Sequence, residues 1–230
     1  MATSGTYAFN PSLGELTLYA FNLCGLRNTS ILQEHMESAR MGTNLMLARW
    51  ANQGVNLWAV DLVSTALVTD QSVYNVDAST VMILDAYVRN DDSGANIDRI
   101  IMPVSRTEYA SYPNKEQQGY PTVYWFDRLV SPTITLWPVP NTDNGPQTLE
   151  YYRVRQLQDA NMTGGQQVEI PYLWLEAFAY GLASRLAQQW APQMFPGLKA
   201  MADESYDIAA LQNVEQAQQY ISPLISGYYR

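Results

Sequence analysis

Histidine and cysteine are almost absent from this chain, whose 230 residues contain one of each, His35 and Cys24. A single cysteine excludes a disulfide within the chain and a cysteine-based zinc cluster. A single histidine excludes a zinc site built from several histidines. Both residues lie where apolar residues recur at helical spacing, so we expect Cys24 to be a small buried hydrophobe and His35 to be structural or at the surface.

Positive charge is also scarce, with 13 Lys and Arg residues against 22 Asp and Glu, a net charge of −9. Nucleic-acid binding needs clustered Lys and Arg side chains that displace counterions, and no such cluster is visible. Charged residues make up 15% of the chain, whereas about a quarter is usual. Sparse charge with 12% aromatic residues indicates that much of the surface faces other protein, although a tight monomer is the alternative.

Motifs for catalysis, cofactors and targeting are missing as well. The chain has no Gly-rich phosphate loop and no G-x-S-x-G elbow, and its N-terminus resembles no signal peptide. The longest apolar stretch, 171–191, contains Glu176 and Arg185, so we expect no membrane span. The acidic stretch 91–98 lacks the alternating calcium-loop pattern and is interpreted as a solvated turn. The sequence therefore predicts no cofactor, no metal and no enzyme.

Two alternative functions stay open at this level. A cell-wall glycan hydrolase needs only two carboxylates at the right separation, and 22 acidic residues offer many pairs. A carbohydrate-binding tail module would need an aromatic stacking surface, for which the candidates are Tyr124, Trp125, Trp137, Tyr151 and Tyr152. We favour the interpretation that these aromatic residues are cross-strand pairs and core of a sheet.

The first 54 residues predict an irregular arm, 1–11, followed by two helices. Ser12 and Glu15 have the spacing of a capping box, which places the start of the first helix, and Gly25 marks its end. Ser30 and Gln33 repeat this spacing and predict the start of the second helix, which we expect to end at Gly54. The apolar stripe of the first helix comprises Leu13, Leu16, Ala20 and Leu23.

From Val55 the spacing of apolar residues changes to two, as Trp58, Val60 and Leu62 illustrate, which is typical of a half-buried strand. A turn-rich connection is expected at 90–96, and Ser105 with Glu108 predicts a short capped helix up to Tyr112. Further strands are expected at 73–76, 81–89, 98–104, 122–127, 133–137 and 148–155.

Helices return after Gly164 and Gly165. Pro171 suits the first position of a helix in which Ala177, Gly181 and Ser184 form a face of small residues, so we expect another helix to approach closely there. Pro192 and the pair Pro196-Gly197 should interrupt the chain. A last helix is predicted from about 198 to 218, with Met201, Ile208, Leu211 and Val214 as its apolar residues.

The predicted fold class is α+β, with a bundle of two N-terminal and two C-terminal helices that carries an antiparallel β-rich insertion. The expected boundaries are 1–54 for the arm and first helices, 55–160 for the insertion, 161–218 for the last helices and 219–230 for an extended tail. An apolar, aromatic terminus either folds onto its own core or docks on a partner. The candidate contact residues are Tyr220, Ile221, Pro223, Leu224, Ile225, Tyr228, Tyr229 and Arg230.

An ordered series of segments in the β region is similar to a known family. The series covers about residues 57–190 and comprises Val81–Arg89, Ile97–Ile100, Ser105–Tyr109, Gly119–Arg128, Thr135–Pro140, Leu149–Arg155 and the helix after Ile170-Pro171 with Ala179–Ala183. It resembles the head-to-tail adaptor, or connector, proteins of tailed phages, especially short-tailed ones. No single motif in the series is specific, and the resemblance supplies no catalytic residue.

The resemblance implies a structural virion protein at the head–tail junction, made in the host cytoplasm. It implies a homo-oligomeric ring, usually of twelve copies, that contacts the portal protein on one side and the tail tube or nozzle on the other. DNA would pass the channel only passively, and no membrane is involved. We expect assembly contacts in the arm, on the small-residue helix face and in the last eleven residues, which would reach the portal or a neighbour.

Overall fold

The computed structural model describes most of the chain. Its described part combines five α-helices with a curled, mostly antiparallel sheet of seven strands, which confirms the predicted α+β class. The candidate contact residues between Tyr220 and Arg230 lie outside the described residues. The described ranges are 3–7, 9–54, 56–92, 95–141, 145–161 and 165–214.

The chain has the predicted order, in which two N-terminal helices are followed by the strands and then by two C-terminal helices. The α-helices are α1 Leu13–Leu23, α2 Gln33–Gln53, α3 Arg106–Ser111, α4 Leu175–Trp190 and α5 Phe195–Ala210. The strands are β1 Val60–Ala66, β2 Val73–Asn75, β3 Thr80–Asp92, β4 Ala95–Pro103, β5 Gln118–Gly119, β6 Val123–Asp127, β7 Thr133–Trp137, β8 Val139–Pro140 and β9 Gln147–Arg155.

Local capping signals place the ends of α1 and the start of α3, as predicted. The Ser12 hydroxyl accepts a hydrogen bond from the Glu15 amide at 3.3 Å, and the Glu15 carboxylate accepts one from the Ser12 amide at 2.8 Å. Gly25 adopts a φ of +81°, which favours glycine, where the helix ends. The Ser105 hydroxyl likewise accepts a hydrogen bond from the Glu108 amide at 3.1 Å and caps α3.

The predicted start of α2 at Ser30 is wrong. Ser30 ends a short 3₁₀ turn, and α2 begins at Gln33. The cap comes from His35, whose Nδ1 accepts a hydrogen bond from the Leu32 amide at 3.1 Å. The His35 ring is buried and stacks on Trp190 of α4 with ring centroids 4.1 Å apart. A histidine held by tertiary packing therefore replaces the expected serine cap.

The starts of α4 and α5 also differ from prediction. Pro171 precedes a 3₁₀ turn, Tyr172–Trp174, and α4 begins only at Leu175. Pro196 and Gly197 lie inside the first turn of α5, where proline is tolerated because the first amides of a helix have no helical partner. The same helix ends at Ala210 rather than near 218, and residues 215–218 lie outside the described residues.

The seven-stranded sheet has the order β1-β9-β3-β4-β6-β7-β2 and is antiparallel except for the short β4–β6 pair. Its first and last strands in the chain are neighbours, with Val60 opposite Val154. The β3–β4 ladder continues to Asp92 opposite Ala95, so the turn-rich connection expected at 90–96 is wrong for the described part of that range. Backbone pairing prevails there over a composition typical of turns. Trp58 lies in a 3₁₀ turn rather than in the expected strand.

The described residues form two separate hydrophobic cores. One fills the helical bundle, and the other lies inside the curled sheet. Large members of the bundle core are Leu13, Phe21, Met46, Trp50, Phe178, Leu182 and Leu186. Large members of the sheet core are Val88, Ile101, Ile134, Leu136, Leu149 and Tyr151.

The small-residue face of α4 contacts α2, which confirms the predicted close approach of another helix. A Cβ atom added at Gly181 would lie 2.6 Å from the Met46 Sδ and 3.8 Å from the Trp50 ring. Ala177 and Ser184 on the same face are buried. The expectation that this face also makes assembly contacts stays a prediction; Ala177, Gly181 and Ser184 line a cleft next to the contact with α2.

We expect Gly181→Ala to lower the free energy of unfolding by about 1–2 kcal/mol, because overpacking exceeds the gain in helix propensity. Gly197→Ala is the matched control, since no atom lies within 4 Å of its added Cβ. The control should leave stability unchanged or raise it by up to about 1 kcal/mol. Urea unfolding of both variants measures the difference, and equal shifts in the same direction would contradict the packing argument.

Candidate assembly surfaces

The single cysteine and the single histidine both have structural roles. Cys24 is buried, and its Sγ donates a hydrogen bond to the Ala183 carbonyl at 3.3 Å. Burial raises the pKa of the Cys24 thiol to about 11, which keeps it protonated and unreactive at neutral pH. His35 caps α2. Within the described ranges, no group of three or more His, Cys, Asp or Glu residues could hold a metal ion.

Two of the candidate stacking residues are covered by Tyr109 of α3 and by Tyr112, which follows the helix. Trp125 stacks on Tyr109 with ring centroids 5.5 Å apart, and Trp137 stacks on Tyr112 at 4.3 Å. The Trp137 indole N–H also donates a hydrogen bond to the Asn114 carbonyl at 2.9 Å. These contacts fix α3 against the sheet. Each tryptophan therefore has one ring face occupied by a tyrosine of the same chain.

The remaining three candidates do not form a shared surface either. Tyr124 and Tyr151 are buried in the sheet core, whereas Tyr152 lies on the outer face of β9 and is partly exposed. The interpretation of the set as core and cross-strand pairs is confirmed for Tyr124 and Tyr151. No sugar-stacking platform is assembled from the five residues.

The described residues of the acidic stretch 91–98 belong to β3 and β4. Asp98 lies opposite Arg89 in the β3–β4 ladder, and its carboxylate accepts hydrogen bonds from the Arg89 Nε at 2.8 Å and Nη2 at 2.9 Å. This bidentate pair holds the pKa of the Asp98 carboxyl below its usual value. The paired carboxylate is a cross-strand contact.

An ion-pair network lies where the sheet meets the connection to α4. Arg153 of β9 donates to Asp61 of β1 at 2.7 Å and to the Thr80 hydroxyl of β3 at 2.9 Å. Arg155 binds Glu169 in a bidentate pair, with one N–O distance of 2.9 Å. Arg155, Asp61 and Glu169 thereby tie the end of the insertion to the segment that leads back into the bundle.

Hydrogen bonds from Arg155 lower the pKa of Glu169 in the folded protein. A depressed carboxyl pKa adds stability above the ordinary pKa of about 4.3, and this stability disappears as the pH falls through the folded value. We expect Glu169→Gln to cost about 1–2 kcal/mol at pH 7 and less below pH 4. Urea unfolding from pH 7 to pH 3 measures this. The control Glu116→Gln, on an exposed loop, should have the same stability as the wild type at every pH. If the stability difference between the wild type and Glu169→Gln did not become smaller at low pH, the role of the Arg155–Glu169 ion pair would be contradicted.

The N-terminal arm borders one exposed apolar surface. Phe9 is largely exposed and packs edge-on against Tyr172, with ring centroids 6.3 Å apart. Next to it, α1 and α4 enclose a groove of about 490 Å³ lined mainly by apolar side chains, among them Leu16, Tyr19 and Tyr180. The predicted assembly contact of the arm is not tested by these contacts, but the arm does present apolar side chains to solvent.

Helix α5 and the residue after it present three large apolar residues to solvent. Ile208 is 61% exposed and Leu211 is 75% exposed, and Met201 lies on the same side. The buried side of α5 consists mostly of small residues, including Ala202 and Ala209. Helical spacing identifies an apolar stripe in this helix, but the stripe points away from the bundle core.

Other exposed apolar residues lie on α2 and on the sheet. Met41 and Leu45, one turn apart on α2, are each more than half exposed. Ile100 and Met102 extend from the outer face of β4, and Val130 lies in the β6–β7 connection with nearly its whole side chain exposed. Neighbouring exposed apolar residues, such as Met41 with Leu45, are candidates for contacts with other proteins.

None of the described helices is long and apolar enough to cross a membrane. A helical bundle with a sheet insertion and exposed apolar side chains on several elements is typical of a subunit that assembles with other proteins. Residues 31–227 match the family described as SU10 adaptor protein. The chain belongs to this family and is a phage head-to-tail adaptor, as the sequence resemblance implied. No curated protein matches it.

Proposed function

We propose that this adaptor is a non-enzymatic virion protein that forms a ring, of about twelve copies, beneath the portal. One side of the ring contacts the portal and the other receives the tail tube or nozzle, as the resemblance to the adaptor proteins of short-tailed phages implies. The family supports the adaptor role. The observation that carries the ring is the exposure of apolar residues on separate faces, α5 on one side and α2 on another, because a closed ring needs two different contact faces.

The tail from Tyr220 to Arg230 is proposed to dock on the portal or on a neighbouring copy. Its support is its apolar and aromatic composition, which is unusual for a free terminus. In the described part of the chain, both hydrophobic cores are built from residues up to 210. The residues proposed to make the contact are Tyr220, Ile221, Pro223, Leu224, Ile225, Tyr228, Tyr229 and Arg230.

The proposed channel lets DNA pass without holding it. The net charge of −9 supports this idea, and several of the few basic side chains, such as Arg89, Arg153 and Arg155, are already engaged by carboxylates. An acidic wall repels phosphates, so the genome would slide through. Cryo-electron microscopy of the assembled neck tests the idea, and a channel wall lined mainly by Arg and Lys would overturn it.

Native mass spectrometry with and without purified portal rings tests the proposed function directly. We expect the full-length chain to bind the portal as a complete ring, whatever its state when free. A stable monomer that does not bind the portal would overturn the proposal. A cell-wall clearing assay and glycan-array binding test the hydrolase and carbohydrate-binding alternatives, and neither alternative is favoured by an observation in the described residues.

A further inference from the structure

The exposed stripe of α5 combines apolar residues with one acidic residue. Met201, Glu204, Ile208 and Leu211 are spaced three or four residues apart, so they share one side of the helix. All four are exposed, and the small residues Ala202, Ser205 and Ala209 form the buried side. A helix surface of this kind has the composition of a contact with an apolar groove that also contains a positive charge.

A groove with the complementary composition lies between α2 and α4. It has a volume of about 430 Å³, and its lining includes Met41 and Leu45 of α2 with Arg185 and Gln188 of α4. Glu37 of α2 also lines it, and its carboxylate accepts a hydrogen bond from the Gln33 side chain at 3.1 Å. Met41 is 56% exposed and Leu45 is 54% exposed, so this apolar side of the groove is open.

Arg185 supplies the positive charge of the groove. None of the ion pairs among the described residues involves its guanidinium, although Asp203 and Asp207 of α5 line the neighbouring cleft with it, and Arg49 is a positive charge that acts on it. Burial and this second arginine both lower the pKa of Arg185, because each disfavours the charged guanidinium. An incoming carboxylate would favour the charged form.

The stripe and the groove face different directions on the same chain. The side of α5 that faces α2 carries Lys199, Asp203 and Tyr206, which line a cleft shared with Arg49 of α2. This cleft adjoins the groove, since Arg185 and Gln188 of α4 line both. The stripe residues do not line that cleft. With 3.6 residues per turn, the buried side of α5 lies between the side that carries the stripe and the side that lines the cleft. The stripe of one copy can therefore meet the groove of another copy while its own groove stays open.

We propose that the α5 stripe of one copy docks into the α2–α4 groove of the next copy, with Glu204 against Arg185 and the apolar pair Ile208 and Leu211 against Met41 and Leu45. This inference rests on the proposed ring and names its contact faces. A contact between two different faces repeats from copy to copy, and it closes into a ring when the rotation allows.

Disulfide cross-linking of full-length chains on purified portal rings, where the ring is proposed to form, tests the contact. We expect a mixture of Leu45→Cys chains and Ile208→Cys chains to give a cross-linked dimer, and each variant alone to give none. A chain with both substitutions should give a ladder of higher oligomers. Native Cys24 does not interfere because its thiol is buried and its pKa is raised. Dimers from either single variant alone, or no cross-link in the mixture, would overturn the proposal.

Charge reversal provides the second measurement. Arg185→Glu and Glu204→Arg should each weaken assembly on portal rings about tenfold or more, because each places like charges together, and both changes in one chain should restore assembly. Glu116→Arg is the control for a charge change elsewhere on the surface. If the variants with a single charge reversal assemble as the wild type does, the proposed contact is wrong, but the proposed ring is not contradicted. If the wild-type chain itself never assembles, the proposed function and this contact both fail.

Discussion

A chain that ends at Gln219 should fold as the full-length chain does but should no longer assemble on the portal. In the described part, the bundle core ends with Ala209 and Ala210, and the sheet core draws its residues from earlier in the chain. The eleven residues removed contain seven large apolar or aromatic side chains or prolines, so they carry a large share of the proposed contact. Circular dichroism and urea unfolding measure folding, and native mass spectrometry with portal rings measures assembly.

The control for this truncation keeps the length of the chain. Serine at Tyr220, Ile221, Leu224 and Ile225 leaves eleven residues in place and removes their apolar side chains. This variant should lose assembly as the truncated chain does, because burial of those side chains drives the proposed docking. If the truncated chain fails to fold, the tail belongs to the core and the docking proposal is wrong.

Trp50→Ala should lower the free energy of unfolding by about 3–5 kcal/mol, enough to unfold much of the population of a marginally stable domain. Trp50 of α2 is buried among the rings of Trp174, Phe178 and Tyr206, with centroid distances of 5.3, 6.4 and 5.8 Å. Removing the indole leaves a cavity at the point where α2, α4 and α5 meet. Urea unfolding followed by far-ultraviolet circular dichroism measures the loss.

Leu45→Ala on the same helix is the matched comparison for Trp50→Ala. Leu45 is 54% exposed, so its truncation should change the free energy of unfolding by only about 0.5 kcal/mol. Its expected effect is on assembly, because it lines the proposed groove. Similar losses of stability for the two variants would contradict the distinction between core and contact surface on α2.

Sequence patterns predicted well wherever the cause of a structure is local. The Ser12–Glu15 and Ser105–Glu108 spacings place two helix starts, because each cap is formed by residues three positions apart. The α2 start is wrong because the cap depends on His35, whose ring is held by Trp190 from a distant helix. The spacing of residues in a serine cap contains no information about that contact.

The contact surfaces needed information that periodicity does not contain. The apolar residues of α5 are regular enough to predict a helix, but periodicity does not tell which of two sides faces the bundle. The close packing of α5 on α4 selects the side with Ala202 and Ala209, and Ile208 and Leu211 are left outside. Arg185 gave no signal at all in the sequence, because its unpaired state depends on which side chains the fold brings near it.

The pairing of Val60 with Val154 has a further consequence for the evolution of such a chain. Paired residues of antiparallel strands have Cα atoms about 5 Å apart, so the whole sheet leaves the helices and returns to them at nearly one point. Recombination at those two positions can replace the sheet as a cassette, since a short loop is enough to reconnect the helices. The contact surfaces of the sheet and those of the helical bundle could then diversify separately.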